Sequence, residues 1–292
     1  MNELRIKFSA DDGYRLAGTL YETRGGQNEI GVLVNAGAGL TRELYGAYAR
    51  FLAEQGFTVL TYDYRGIGDS RDPDWRGAAP TVQDWAERDL PAAIDWLRGE
   101  RPQYSLVCVG HSFGGAALGL AWNNHAVRAL LGIGAQSSYY GHWPWPRLLQ
   151  WARYRVLFPL ALRYRTLQRL ARTGMPPSVL QGWVRWCRDP NYFTDADGRP
   201  LRQYFQSYRG RIRLYCFSDD RFFAPRPAVE ALAAYYPRAG LEMVHVKPSD
   251  WDVPRIGHFG FFRPGMPRRV WQETTDWLLE AGRMPKTEAT EV

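Results

Sequence analysis

Polarity alternates along two short runs near the start of the chain, Leu4-Arg-Ile-Lys-Phe-Ser-Ala10 and Tyr14-Arg-Leu-Ala-Gly-Thr-Leu-Tyr-Glu22, with Asp11-Asp12-Gly13 between them. A period of two gives each run one apolar face, so the pattern predicts a β-hairpin whose turn needs the positive φ that glycine tolerates. The pattern then changes. Ile30 to Val34 and Phe57 to Tyr62 are continuous apolar runs, read as buried strands, and between them Leu44, Tyr48, Phe51 and Leu52 fall on one helical face. Thr81-Val-Gln-Asp84 has the form of a capping box, opening a helical stretch towards Trp96 and Leu97 that Pro91 kinks or restarts. Apolar runs at Leu106 to Val109, Ala129 to Ile133, Ile212 to Phe217 and Leu241 to Val246 predict further strands, the last two joined by a helix over residues 225 to 237. Strands that take turns with helices imply a mostly parallel sheet covered on both faces, an α/β fold.

The alternation stops between about Ser138 and Tyr208. This stretch holds Trp143, Trp145, Trp151, Trp183 and Trp186, and residues 139 to 188 carry nine arginines and no acid. With no strand-like pattern, it reads as a helical cap inserted after the fourth β/α strand. The predicted organisation is a core of residues 1–138 and 209–283, an inserted helical cap (lid) of residues 139–208, and a polar, disordered tail over 284–292. Three uses of the cap compete: arginines facing solvent over packed aromatics, arginines gripping a carboxylate or phosphate of the substrate, and a basic amphipathic surface that touches anionic lipid.

Composition narrows the classes. With 292 residues, 45% of them hydrophobic, the chain can bury a full core and still carry an insertion. Its net charge of +7 is almost wholly arginine, because Lys7, Lys247 and Lys286 are the only lysines. No nucleic-acid motif accompanies that charge, so nucleic acid is not an expected partner. Cys108, Cys187 and Cys216 are too few and too scattered for a disulfide framework or a zinc site, and read as buried thiols in a reducing compartment. The first residues carry charges where a secretory signal needs an apolar stretch, and no segment reaches about eighteen uncharged apolar residues. The expectation is a soluble, cytoplasmic protein with no stable membrane insertion. Gly37-Ala-Gly39 follows a strand, but Arg42 stands where a dinucleotide loop has its third glycine, so no cofactor or metal is expected.

Candidate chemistry begins at Gly110-His-Ser-Phe-Gly114, a G-x-S-x-G pattern between a predicted strand and a predicted helix, where a tight turn lifts a serine hydroxyl above the sheet. A hydroxyl is a weak nucleophile until a base takes its proton, and the base needs an acid to fix its tautomer and stabilise its cation. In this architecture acid and then histidine follow the serine along the chain. Ser218-Asp219-Asp220-Arg221 follows the strand ending at Phe217, and Gly257-His258-Phe259-Gly260 lies in the loop after the strand ending at Val246. His111, His125, His142 and His245 fall in the elbow, after a helix, at the cap entrance and within a strand; only His258 occupies a loop at a strand's C-terminal end, where ligands bind in open sheets. No acid occurs from Arg101 to Arg188, which removes the alternative position after the fourth β/α strand and leaves Asp219 or Asp220.

These motifs, with Asn35-Ala-Gly-Ala-Gly39, Asp63-Tyr-Arg-Gly-Ile-Gly-Asp-Ser70 and Ser218-Asp-Asp-Arg-Phe-Phe-Ala-Pro225, resemble the α/β-hydrolase superfamily over nearly the whole chain. More narrowly, Tyr62 to Ser70 together with Ile256-Gly-His-Phe-Gly-Phe-Phe-Arg263 are similar to a bacterial group of uncharacterised predicted hydrolases related to the serine aminopeptidase-like branch. The resemblance implies Ser112 as nucleophile, His258 as general base and Asp220 as acid. Family members place the acid in a Gly-x-x-Asp turn, and Phe217 here replaces that glycine. Asp219 therefore stays an alternative; its other role would be to cap the next helix or pair with Arg221 or Arg226. The His-Gly pair common after the first β/α strand is here Asn35-Ala36-Gly37, and the implied oxyanion donors are the backbone N–H groups of Phe113 and Gly37, the second with its register open by one residue. Asp63 to Ser70 takes a structural role. The implied activity is hydrolysis of a carboxylic ester or thioester through an acyl-enzyme, on a small-molecule acyl substrate that is anionic if the cap arginines grip it. An acyltransferase on the same triad and a non-catalytic binding protein on the same fold are the alternatives.

Overall fold

The computed structural model describes residues 1–23, 28–144, 146–157 and 174–283. Eight strands form one sheet: β1 (Asn2–Ser9), β2 (Arg15–Glu22), β3 (Ile30–Asn35), β4 (Thr58–Tyr62), β5 (Ser105–His111), β6 (Val127–Ile133), β7 (Arg211–Phe217) and β8 (Gly240–Val246). Their order is β1-β2-β4-β3-β5-β6-β7-β8. The hairpin β1–β2 pairs antiparallel, with Gly13 at φ +83° in its turn, and joins β4 antiparallel; from β4 to β8 every pairing is parallel. The apolar runs predict this arrangement for a physical reason. Strands covered on both faces have no solvent side to keep polar, and β3 and β4 are buried at every residue.

Parallel strands need crossovers, and helices supply them. Gly46–Glu54 lies between β3 and β4, Arg226–Ala233 between β7 and β8, and Arg268–Arg283 closes the described chain against the sheet. The crossover before β5 begins with the expected capping box: Asp84 N–H donates to Thr81 Oγ1 at 3.1 Å, and Thr81 N–H donates to Asp84 Oδ2 at 2.8 Å. It then widens into a π turn over Trp85–Asp89 before the α-helix Leu90–Glu100. Pro91 has no N–H to give the carbonyl four residues back, so the ladder slips at this point. Asp89 is buried here and meets Arg65 at 2.7 Å; Arg65 also meets Asp12. Asp63 is likewise buried against Arg42. The acids of the Asp63 to Ser70 motif are thus engaged with arginines away from the cavity described below.

Between β6 and β7 the described residues are mainly helical. They include Arg147–Ala152, a π turn over Arg153–Leu157, and Pro177–Arg188. The last helix buries Val179, Leu180, Val184, Trp186 and Cys187, and Trp186 Nε1 donates to the Thr194 carbonyl at 2.7 Å. Residues 158–173 of the expected cap and the expected tail over 284–292 lie outside the described residues. Cys108, Cys187 and Cys216 are buried.

Candidate active site

Chain geometry at the end of β5 is dictated by small residues. Ser112 sits at φ 51° and ψ −120°, a conformation that L side chains rarely adopt, and its carbonyl accepts from Gly115 and Ala116 as the next helix begins. The turn is tight enough that a Cβ at Gly110 would lie 2.2 Å from Gly115 Cα, and one at Gly114 would lie 2.4 Å from the Asn35 carbonyl oxygen. Glycine at both positions is what lets β5 fold back over its own helix beside the end of β3.

Two loops converge on this elbow. Asp220, after β7, is buried and its Oδ2 lies 2.5 Å from His258 Nδ1, while Oδ1 accepts from Phe223 N–H at 3.1 Å. Asp219 does something else: its Oδ2 accepts from the N–H groups of both Ile256 and Gly257 at 2.9 Å, so it clamps the loop that carries His258. The adjacent acids therefore divide into one beside the imidazole and one beneath its backbone. Neither the capping role nor the arginine pairing expected of Asp219 is formed; Arg226 pairs instead with Glu230. The His258 ring is boxed by Phe223, stacked at 4.8 Å, and by His111 and Phe259. With Nδ1 facing Asp220, Nε2 is the nitrogen left for another partner.

Ser112, Phe113 and His258 line one cavity of about 360 Å³, with walls that include Leu40, Trp143, Met175, Leu180, Trp183 and Phe222. None of the described arginines lines it. Ser112, His258, Phe113 and Gly37 thus share a pocket whose wall is largely apolar and aromatic.

The loop after β3 uses its first N–H elsewhere. Gly37 N–H, expected to face the cavity, donates to Tyr45 Oη at 2.8 Å. That bond is part of a buried relay which the sequence did not reveal. Tyr45 Oη also lies 2.8 Å from His111 Nδ1, and His111 Nε2 lies 2.9 Å from the His258 carbonyl. Burial holds the His111 imidazole well below its ordinary range, with His258 nearby adding to the effect, so His111 is neutral. A carbonyl can only accept, so Nε2 carries the proton, Nδ1 accepts from the Tyr45 hydroxyl, and that hydroxyl accepts from Gly37. The next residue, Ala38, lines the cavity, and its N–H makes no hydrogen bond among the described residues. Gly37 N–H is thus engaged within the protein, and Ala38 N–H is left open at the cavity.

Comparison with known proteins follows the same lines. The sequence profile of the alpha/beta hydrolase family matches residues 32–271. This chain belongs to that family. Among solved structures, the α/β hydrolase is similar to an esterase from Pyrococcus furiosus, at 16% identity over 96% of this chain and 91% of that one, with a TM-score of 0.60. It is also similar to a putative aryl esterase from Burkholderia cenocepacia, at 19% identity over 95% and 99% with a TM-score of 0.58. A dienelactone hydrolase from Anabaena variabilis gives 16% identity over 97% and 99% and a TM-score of 0.54. At these identities the likeness concerns the fold. A search of curated protein sequences gives no match.

Proposed function

We propose that this α/β hydrolase is a serine esterase that cleaves a carboxylic ester or thioester through an acyl-enzyme on Ser112. The observation that carries this reading is the Asp220–His258 contact, which faces the cavity that also holds Ser112 at a strained elbow. In the proposed mechanism His258 Nε2 takes the Ser112 proton as Oγ attacks the substrate carbonyl, and Asp220 stabilises the imidazolium through Nδ1–H. The tetrahedral oxyanion is held by the N–H groups of Phe113 and Ala38, each worth about 3 kcal/mol of transition-state stabilisation. Collapse expels the alcohol or thiol, protonated by His258. Water then attacks the acyl-enzyme with the same base, and Ser112 regains its proton. The esterases among the structural relatives support the reaction class.

The aromatic and aliphatic side chains of the described wall support an apolar acyl group packed beneath Trp143 and Trp183. The test is turnover of p-nitrophenyl esters and acyl thioesters of graded chain length by the native protein and by Ser112→Ala, read beside labelling with a fluorophosphonate. Turnover is expected to fall by about 10⁶, as for a triad that acts as a unit, and labelling to vanish. A native protein that neither labels nor turns over any ester would favour a binding role instead.

A further inference from the structure

Three residues beyond β6, Gln136 enters the wall of the same cavity next to the His258 loop. The place is fixed by Gly134, where an added Cβ would come within 3.3 Å of the His258 ring. Gln136 is only 5% exposed, and both it and Ser138 line the pocket. The Ser138 hydroxyl donates to Gln136 Oε1 at 2.8 Å. That bond holds the carboxamide by its oxygen and turns the NH₂ end away from Ser138. Among the described residues Nε2 has no hydrogen-bond partner.

This side chain is not needed to hold its own loop. The segment is anchored by its neighbour: Ser137 N–H donates to the Ala228 carbonyl at 2.9 Å, and Ser137 Oγ lies 3.3 Å from Tyr235 Oη. The NH₂ is open to the cavity and not sealed inside the protein, so a bound molecule that displaces solvent there must offer an acceptor or leave the donors unmet. The described lining around it is largely apolar, which favours a neutral acceptor over a desolvated anion.

We infer that Gln136, oriented by Ser138, is a specificity-determining residue whose NH₂ donates to an ether, oxo or amide oxygen on the substrate's acyl group. The substrate class is then an oxygen-bearing acyl chain rather than a plain alkyl one. This rests on the reading of the cavity as the acyl site of a serine esterase.

The test uses binding, so that it does not depend on turnover. Methyl ketones carry the carbonyl without a leaving group. Straight-chain ketones and isosteres with one methylene replaced by an ether oxygen at successive positions are titrated into the Ser112→Ala protein, with fluorescence of Trp143 and Trp183 in the cavity wall as the signal. One ether position is expected to bind about fivefold more tightly than its methylene isostere. Ser138→Ala should weaken that preference. Gln136→Leu should remove it, and Gln136→Glu, which keeps the shape but replaces the donors with acceptors, should reverse it. A preference that survives in both Gln136 variants overturns the inference, as does a native preference for methylene at every position or the failure of both series to bind. A protein that binds the ether selectively but hydrolyses nothing defeats only the esterase reading; one that hydrolyses esters with no Gln136-dependent selectivity defeats only this inference.

Discussion

Asp219 and Asp220 are neighbours in sequence with different partners, and the difference yields a residue-scale prediction. Asp220→Asn leaves the geometry intact but presents the wrong hydrogen-bonding partner to His258 Nδ1; esterase kcat is expected to fall by about 10⁴. Asp219→Asn keeps an oxygen for the Ile256 and Gly257 N–H groups, so its loss should be far smaller. Similar, mild losses in both would contradict the assignment. The proposed donor Ala38 has its own test: Ala38→Pro removes one N–H and should lower kcat by about 10²–10³, measured beside Tyr45→Phe, which disturbs the relay behind Gly37. Unchanged kcat in Ala38→Pro would rule that donor out. Sequence order and motif resemblance singled out Ser112, His258 and Asp220. Asp219's clamp and Gly37's engagement by Tyr45 were illegible, because the fold brings each partner in: Ile256 and Gly257 lie 37 and 38 residues beyond Asp219, and no local spacing aims the Tyr45 hydroxyl at Gly37.

Among elements, the capping box and the strands were readable because each is written in neighbouring residues, whereas the π turn depends on where the missing Pro91 N–H leaves the ladder. The elbow combines both kinds of information: its glycines are visible in sequence, but their reason is the approach of β3. A Cβ at Gly114 would meet two backbone carbonyls, those of Asn35 and Ala36, at 2.4 and 2.5 Å. Gly114→Ala should therefore push the helix Phe113–Ala117 off the end of β3, destabilising the protein by about 1–3 kcal/mol and lowering esterase activity together. Gly99→Ala is the control, since that exposed helical position has nothing within 4 Å of a new Cβ; it should leave activity unchanged and raise stability by up to about 1 kcal/mol. Urea unfolding of the two variants checks the pair, and equal destabilisation would contradict the packing argument.

At the scale of the whole molecule, the parallel sheet and its crossovers followed from the alternation of apolar runs, but strand order did not, since no local pattern states that β4 lies between β2 and β3. The fold also ties the site to global stability through His111, which links the elbow, the loop after β3 and the His258 loop. Its folded-state pKa lies well below the ordinary value of about 6.5 that it regains on unfolding. Below that value the unfolded chain binds a proton that the folded chain refuses, so stability is full above about pH 6.5 and falls with pH beneath it, by up to about 1.4 kcal/mol per pH unit. Asp89, pushed by burial up to about 7 against the pull of Arg65, acts in the opposite sense, losing stability as pH rises towards neutrality. The difference in melting profile between native protein and His111→Gln isolates the histidine: the variant should lose about one proton's slope on the acid side, and parallel profiles would contradict a neutral His111. The central claim is chemical, and its most direct measurement is the mass of the protein quenched during turnover of a p-nitrophenyl ester, followed by peptide mapping. One acyl group per chain is expected, on Ser112 and absent from Ser112→Ala; an acyl group mapped elsewhere, or ester turnover undiminished in Ser112→Ala, would contradict a Ser112 acyl-enzyme.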